Sequence, residues 1–356
     1  MRSAIVFSSW DWNTFNVPER VALALAQRGY RVLYCEMPVS RFRRAGSTLR
    51  KVYRDVYAFG PTYLGERLNR FPILRKRQWD FVARQITKNA RELDMPNPIF
   101  LFSHVEGIGP LCRKMRLEGC QIVHICMDYP EPYQYELIDF SDRTLVIPKS
   151  VFHKLRARYA EKIHLIPQSV LIPRTEDDNQ DFHPGPALSA QIPSPRLGYL
   201  GPIYSRVNIP LLRRVLTEHP HWHFICFGDT SELELPNVHG IPWSRPEDLP
   251  RHLKSFDVGI MPYDCFEEKN LHCVPLKLFD YFLMGLPVVS TPVLSLSEYS
   301  DLVYLADTAE GFAAAIESAM TEPTDSPERT RRKCVAREHS TEFLGERLEV
   351  ALAFAE

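Results

Sequence analysis

The sequence has 356 residues, of which 45% are hydrophobic, and carries a formal net charge of −1. This length predicts two domains with a sizeable core, and the balanced charge excludes a general preference for nucleic acid. The eight cysteines form no C-x-x-C pair, and neither a signal-peptide apolar region nor an apolar run of 18 residues is present. We therefore expect a cytoplasmic protein with reduced thiols and no membrane span.

Strand and helix patterns alternate through the first half of the chain. The predicted strands are residues 4–8, 31–35, 98–102, 121–126, 144–147 and 162–167, and the predicted helices are residues 17–28 and 150–159. Gly29 follows the first helix as a C-terminal stop signal. This alternation predicts a parallel sheet with crossover helices, so residues 1–172 are assigned to an α/β N-terminal domain.

Residues 41–77 carry a strong local positive charge. Eleven Lys or Arg residues stand there against Asp55 and Glu66, a net charge of +9. Seven aromatic residues are interleaved with or follow these charges: Phe42, Tyr53, Tyr57, Phe59, Tyr63, Phe71 and Trp79. Cationic and amphipathic aromatic side chains together suit an anionic membrane surface, which we expect as a peripheral partner. A solvated basic face with inward-packed aromatics, or a site for an anionic acceptor, is the alternative.

The second half of the chain shows the same alternation of strand and helix patterns after a proline-rich stretch. Residues 173–195 hold five prolines, which predicts an interdomain linker. The predicted strands are 196–200, 222–228, 258–262 and 287–291, and the predicted helices are 209–218 and 246–255. Residues 196–325 therefore read as a second doubly wound domain, followed by a helical segment over 326–356. Because neither domain opens on G-x-G-x-x-G, a nicotinamide-binding Rossmann domain is disfavoured.

The most informative stretch is residues 273–292, CVPLKLFDYFLMGLPVVSTP. Pro275 suits the first position of a short helix that Gly285 ends, and a buried strand follows. No good side-chain cap precedes Pro275, so the first amide groups of the helix are available to an anion. Lys277 lies within a turn of them, and Asp280 lies three residues further on the same face. We predict that these groups bind phosphate and ribose.

This stretch resembles the nucleotide-sugar signature of GT-B fold glycosyltransferases, in which a Pro-x-Lys-x-x-Glu-like helix ends in Gly-x-Pro-Val-Val. The resemblance implies two Rossmann-like domains facing a central cleft, with the C-terminal helix packing back on the first. Retaining members usually carry a Glu eight residues before the helix Glu, whereas this chain has His272 there. That difference moves the resemblance toward bacterial polysaccharide-assembly transferases such as xanthan-type glucuronosyltransferases and teichuronic acid transferases.

Further donor contacts are implied by the same resemblance. Gly201 stands where a glycine lets backbone amides approach the diphosphate, and Ile241 and Trp243 stand beside the nucleobase. Asn270 and His272 belong to a polar loop, residues 263–272, that would surround the donor sugar. Gly201 in a simple turn, and Trp243 in the core, are the structural alternatives.

An inverting transfer also requires a general base, which we expect in the first domain. Asp128 is the first candidate because it follows the strand 121–126 at its carboxyl end, where open parallel sheets bind ligands. The other candidates are Asp11, within Trp-Asp-Trp-Asn after the first strand, and His104 with Glu106 after the strand ending at residue 102. Either of these two loops is also a candidate for acceptor binding.

The sequence thus predicts a glycosyltransferase that moves a sugar from a nucleoside diphosphate sugar, with uridine as the expected base, to a lipid-linked saccharide acceptor in cell-envelope polysaccharide synthesis. No cofactor is expected. No Asp-x-Asp stands at a strand end, so we expect metal-independent transfer. A GT-B-like sugar-nucleotide epimerase and a non-catalytic nucleotide-sugar-binding protein are the alternatives; product analysis separates the first from a transferase, and absence of turnover identifies the second.

Overall fold

A computed structural model describes residues 1–14, 16–40, 48–65, 71–103, 105–170, 187–204, 206–242 and 249–353. The chain forms two compact units. The first consists of Met1–Gln168 together with Thr341–Glu356, and the second of Ser169–Ser340. The boundary after residue 168 lies four residues before the predicted end of the N-terminal domain.

The first unit is built on an eight-stranded sheet with the order β10-β9-β8-β7-β1-β2-β5-β4, and β3 and β6 pair separately. Its strands are β1 Ser3–Phe7, β2 Arg31–Cys35, β3 Val39–Ser40, β4 Arg50–Tyr53, β5 Val56–Phe59, β6 Thr62–Tyr63, β7 Ile99–Phe102, β8 Gln121–Cys126, β9 Arg143–Val146 and β10 Ile163–Leu165. Its helices are α1 Val17–Gln27, α2 Pro72–Glu92, α3 Gly109–Leu117, α4 Pro132–Phe140, α5 Lys149–Tyr159 and α12 Thr341–Leu352.

All neighbouring strands of the large sheet are parallel except β4, which runs antiparallel to β5. The central strands are buried on both faces, which explains their continuous apolar runs. Strand order reverses between β1 and β7, so the loops after these two strands flank the switch point where such sheets bind ligands.

The C-terminal segment, predicted as helical over residues 326–356, consists of two helices separated at residues 339–340. It forms α11, Pro327–Glu338, and α12, Thr341–Leu352. Ser326 caps α11 by accepting the amide of Arg329, and His339 ends it. Only α12 belongs to the first unit, where it packs on α1 and Glu349 accepts a 2.6 Å hydrogen bond from Nε of Arg28.

The basic segment, residues 41–77, contains more regular structure than the sequence predicted. Strands β4, β5 and β6 and the first residues of α2 lie within it, and residues 41–47 and 66–70 lie outside the described residues. Phe59 is 1% exposed in the core, and Trp79 packs against the same core. These two aromatic side chains are therefore not available to a membrane surface. Phe71, in contrast, is 59% exposed.

The second unit contains a six-stranded, wholly parallel sheet with the order β13-β12-β11-β14-β15-β16. Its strands are β11 Arg196–Tyr199, β12 His223–Phe227, β13 Val238–Ile241, β14 Val258–Met261, β15 Val288–Ser290 and β16 Val303–Leu305. Its helices are α6 Ile209–Glu218, α7 Leu249–Leu253, α8 Glu268–Leu271, α9 Leu276–Leu283, α10 Ala309–Met320 and α11. The switch point of this sheet lies between β11 and β14.

The predicted linker, residues 173–195, is only partly separate from the second unit. Residues 171–186 lie outside the described part of the chain. Leu188–Gln191 form a 3₁₀ turn in which the hydroxyl of Ser189 is 2.8 Å from Nδ1 of His252. The last residues of the predicted linker therefore pack on the sheet domain. Among the described residues, no helix combines the length and the apolar character that crossing a bilayer requires.

Candidate functional site

Helix α9 begins at the carboxyl edge of the second sheet without a side-chain cap. Pro275 occupies the N-cap position with φ −62° and ψ 117°, so the helix begins at Leu276 and not, as the sequence predicted, at Pro275 itself. The side chain of Pro275 makes no capping hydrogen bond. The positive end of the helix dipole therefore has no side-chain cap from the N-cap residue, although the amide of Leu278 donates to the carbonyl of Pro275. At the other end, Gly285 adopts φ +68° and ends the helix as predicted.

Lys277, in the first turn of α9, lies on two tyrosine rings. Its Nζ atom is 4.1 Å from the ring centroid of Tyr199 and 5.2 Å from that of Tyr263. Nζ also donates a 3.2 Å hydrogen bond to the hydroxyl of Tyr263. Both tyrosines are 5% exposed or less, so the rings form a fixed surface beneath the lysine. The cation–π geometry holds the amino group at the ends of β11 and β14.

The surroundings of Lys277 change its protonation. The pKa of Lys277 is lowered to about 7, chiefly by burial, while Cys273 raises it, Arg206 lowers it and Asp280 raises it. Desolvation outweighs these opposing groups because the ammonium form loses hydration. Asp280 itself is 3% exposed. A negative charge added beside Nζ would raise this pKa again.

Two glycines, one in β11 and one in β14, leave room for aromatic rings that pack against these strands. A Cβ atom on Gly259 would lie 2.8 Å from the ring of Tyr281, and one on Gly198 would lie 1.9 Å from the ring of Phe256. Gly201, singled out from the sequence, has φ +134°, a conformation that only glycine adopts readily. It starts the loop after β11, beside the end of β11 on which Lys277 rests. The structure therefore brings Gly201 and Lys277 to the same strand end.

The loop between β14 and α9 holds the two predicted sugar contacts. Asn270 is fully buried and its amide group donates to the carbonyl of Asp264 at 2.9 Å. This residue supports the loop from inside rather than lining its surface. The Nε2 atom of His272 lies 3.2 Å from the carboxylate of Glu268, and the His272 side chain is 13% exposed.

Of the two nucleobase predictions, Ile241 is the last residue of β13, at the edge of the sheet. Ile241 is 6% exposed and its carbonyl accepts the amide of Gly228 at 2.9 Å, so the sheet already uses that carbonyl. Trp243 lies outside the described residues. Contact of Ile241 with a base remains a prediction.

The candidate bases follow three neighbouring strands of the first unit. Asp128 follows β8 and is half-buried, and the thiol of Cys126 donates to its backbone carbonyl at 3.4 Å. Asp11 follows β1 and is exposed, which places it nearer the switch point than Asp128. His104, after β7, lies outside the described residues.

The loop that carries Asp11 is rigid, which the sequence did not reveal. The amide of Trp12 donates to the buried carboxylate of Glu36 at 3.1 Å, and the amide of Asn13 donates to Glu19 at 3.1 Å. Asn13 adopts φ +71°, and the ring of Trp12 meets Tyr34 edge-on at 5.1 Å. Buried carboxylates that accept backbone amides fix the loop while Asp11 stays exposed.

Sequence reasoning missed the three tyrosines around Lys277. Tyr199 is the last residue of β11, and Tyr263 follows the end of β14. Tyr281 lies four residues after Lys277 on the same helix face. The i, i+4 spacing was the available signal for Tyr281. Among the described residues, no group of three or more His, Cys, Asp or Glu is arranged to hold a metal ion.

The part of the chain that contains this site is similar to known proteins. Residues 195–322 match the family described as Glycosyl transferases group 1. The chain is also 30% identical over 155 residues to the putative teichuronic acid biosynthesis glycosyltransferase TuaH of Bacillus subtilis (strain 168), a match that spans 40% of this chain and 38% of that relative.

Solved structures share the fold across the whole chain. Sucrose-phosphate synthase from Thermosynechococcus elongatus has a TM-score of 0.70 at 13% identity and covers 98% of both chains. A UDP-forming alpha,alpha-trehalose-phosphate synthase from Burkholderia xenovorans has a TM-score of 0.70 at 11% identity, covering 99% of this chain and 100% of its own. The predicted GT-B fold is thereby confirmed.

Lys277 makes stability depend on pH. Between pH 7 and 10.5 the unfolded lysine keeps a proton that the folded protein has lost, so the free energy of unfolding rises with pH, by at most about 1.4 kcal/mol per unit from this group. Lys277→Met removes this contribution. Urea unfolding should show the variant more stable than the wild type at pH 7, with the difference shrinking toward pH 10. Parallel pH profiles for the two proteins would contradict the low pKa.

Proposed function

We propose that this protein is a glycosyltransferase that moves a sugar from a nucleoside diphosphate sugar to a hydroxyl acceptor. The observation that carries the proposal is the arrangement at the switch point of the second sheet, where Lys277 and the uncapped start of α9 lie together. This arrangement lies inside the segment that matches the group 1 glycosyltransferases. A diphosphate needs positive charge and amide donors in one place, and both are present there.

The donor is proposed to be a UDP-sugar. The support is similarity of fold to proteins that use this nucleotide, among them an E. coli trehalose-6-phosphate protein bound with UDP-2-fluoro glucose, with a TM-score of 0.69 at 10% identity. In this proposal Lys277 binds the diphosphate and Asp280 accepts hydrogen bonds from ribose hydroxyls. Gly201, Ile241, Trp243 and His272 remain proposed donor contacts.

The same groups are proposed to promote departure of the diphosphate. Negative charge grows on the leaving phosphate as the glycosidic bond breaks, and preorganised dipoles and an ammonium group stabilise that charge. Lys277 takes up a proton as the anion arrives, because an adjacent negative charge raises the pKa of an amine. The proposed transfer therefore needs neither a metal ion nor a cofactor.

The acceptor proton is proposed to go to a carboxylate of the first unit. Asp128 is the first candidate, at the carboxyl end of β8, and Asp11 on its rigid loop is the second. His272 replaces the carboxylate that retaining members of the resembling family usually carry, which favours inversion of the anomeric centre. A general base within hydrogen-bonding reach of the acceptor hydroxyl suffices for such a single displacement.

The acceptor is proposed to be a lipid-linked saccharide met at an anionic membrane surface, within cell-envelope polysaccharide synthesis. The curated relative is itself named for teichuronic acid biosynthesis. At the start of α2, Phe71 and Ile73 are 59% and 72% exposed, and Arg75, Lys76 and Arg77 are exposed beside them. Exposed apolar side chains next to basic ones suit a bilayer interface. Arg50 contributes less, because it pairs with the buried carboxylate of Glu36.

The donor proposal predicts proton uptake on binding. At pH 8 the diphosphate is fully ionised, since its last pKa is about 6, so UDP binding should take up about one proton through Lys277. Calorimetry in buffers of different ionisation enthalpy measures this number. Lys277→Ala should weaken UDP binding by about 1.5 to 3 kcal/mol and abolish the uptake, whereas Ala at exposed Lys254 should change neither. Equal affinity of the Lys277→Ala variant and the wild type would refute the diphosphate contact.

The base is tested by comparing two isosteric variants. Asp128→Asn keeps shape but cannot accept a proton, so transfer should slow by about 10²- to 10⁴-fold while UDP affinity stays within a few-fold. Asp11→Asn is the matched variant. A slow Asp11→Asn with a normal Asp128→Asn would move the base to the loop after β1. Product analysis of the wild type distinguishes a transferred sugar from an epimerised nucleotide sugar.

The membrane proposal predicts binding that depends on both charge and apolar contact. Sedimentation with vesicles should show retention on anionic lipid, lost at 1 M salt, where the Debye length falls to about 3 Å. Gln at Arg75, Lys76 and Arg77 together should abolish retention, and Ser at Phe71 and Ile73 should weaken it at unchanged charge. Gln at Lys88 and Arg91, exposed near the other end of α2, is the control. Equal retention on neutral vesicles would count against the proposal.

A further inference from the structure

Tyr281 connects helix α9 to the end of strand β11. Its hydroxyl donates to the carbonyl of Gly198 at 3.0 Å and accepts the amide of Leu200 at 2.9 Å. The side chain is fully buried, and its ring fills the space that Gly259 leaves open. The phenol oxygen, carried by helix α9, therefore forms hydrogen bonds with two backbone groups at the end of β11.

The hydroxyl of Tyr281 occupies the position that a neighbouring strand would take beside the end of β11. The ladder between β11 and β14 pairs Leu197 with Val258 and Gly198 with Gly259, while β11 pairs with β12 as far as Tyr199. A parallel partner opposite Tyr199 would bind the carbonyl before it and the amide after it. Tyr281 binds those same two groups. It thus takes the place of the next residue of β14 at the point where the pairing between β11 and β14 ends.

The far end of the same loop is also fixed. The amide of Asn208 donates to the carbonyl of Pro262 at 2.7 Å, and Val207 forms an antiparallel bridge with Tyr263. Tyr263 in turn accepts the hydrogen bond of Lys277. The backbone around Gly201 is therefore held at its start by Tyr281 and at its end by the segment that supports Lys277.

We infer that Tyr281 is a positioning residue for diphosphate binding: its hydroxyl fixes the backbone at residues 200–202 relative to Lys277 and the start of α9. This inference rests on the proposed function. Tyr281 and Lys277 are separated by one helical turn, so the helix that supplies the cation also sets the position of the glycine loop. A diphosphate bound by both elements requires their spacing to be constant.

The test uses Tyr281→Phe, which keeps the ring against Gly259 and removes only the hydroxyl. Calorimetry with UDP should show affinity about five- to tenfold weaker, because residues 200–202 are no longer fixed. Uridine competes for the nucleoside part alone, so its affinity should change less than twofold. Hydrogen exchange at the Leu200 amide should become at least about tenfold faster. Tyr304→Phe, which removes a 3.1 Å hydrogen bond to Glu322 on the edge strand β16, is the matched control.

The possible results distinguish failure of the inference about Tyr281 from failure of the proposed function. A Tyr281→Phe variant that is less thermally stable but binds UDP and uridine as the wild type does would overturn the inference and leave the proposed function intact. Equal loss of UDP and uridine affinity would also overturn it, since that pattern indicates general disruption. A wild type that binds neither UDP nor GDP would refute the proposed function, and the inference with it.

Discussion

The arrangement of the second unit depends on desolvation of one amino group. Lys277 is held on the rings of Tyr199 and Tyr263, where the aromatic surface compensates only part of the lost hydration. Each element around it serves this placement. The ends of β11 and β14 supply the two rings, the glycines at 198 and 259 let other rings pack close, and α9 begins without a cap beside them. The amino group is costly to hold there unless an anion joins it.

Such a site is prepared before its ligand is present. The tyrosine rings are buried and fixed, so binding does not require them to become ordered. In the proposed function the cost is instead electrostatic, and it would be recovered when the negative charge of the diphosphate raises the pKa of the lysine. Affinity and protonation are then one equilibrium, which makes the site sensitive to pH close to neutrality.

The sequence was sufficient for those parts of the fold that depend on local patterns. The strands at residues 31–35 and 121–126 and the helix at 209–218 were predicted with their observed limits, because buried parallel strands and capped amphipathic helices have clear periodicities. The short strands β4 to β6 were missed. They lie among charged residues, and the pairing of β5 with β2 and β4, and of β6 with β3, is a tertiary property that no local window contains.

The candidate site likewise contains residues that local patterns predicted and residues whose role depends on tertiary structure. Lys277 and Gly201 were predicted from motif spacing to lie at a helix start and after a strand, and the structure has them at those positions, while their contacts with a donor remain predictions. Asn270 was predicted to contact the donor sugar from the resemblance of its loop to the family pattern, and the structure shows its amide bound to the carbonyl of Asp264 inside that loop. The role of Tyr281 depends on where β14 turns away from β11, a geometric fact that exists only in the assembled sheet.

Helix α12 has a consequence for how the chain folds during synthesis. The first unit is discontinuous, since its last helix follows the entire second unit in the sequence. Until Thr341–Leu352 leaves the ribosome, the face of α1 that receives it is uncovered and Arg28 lacks its bond to Glu349. The second unit, Ser169–Ser340, is contiguous and has no such delay. The unit that is translated first is therefore the last to be completed.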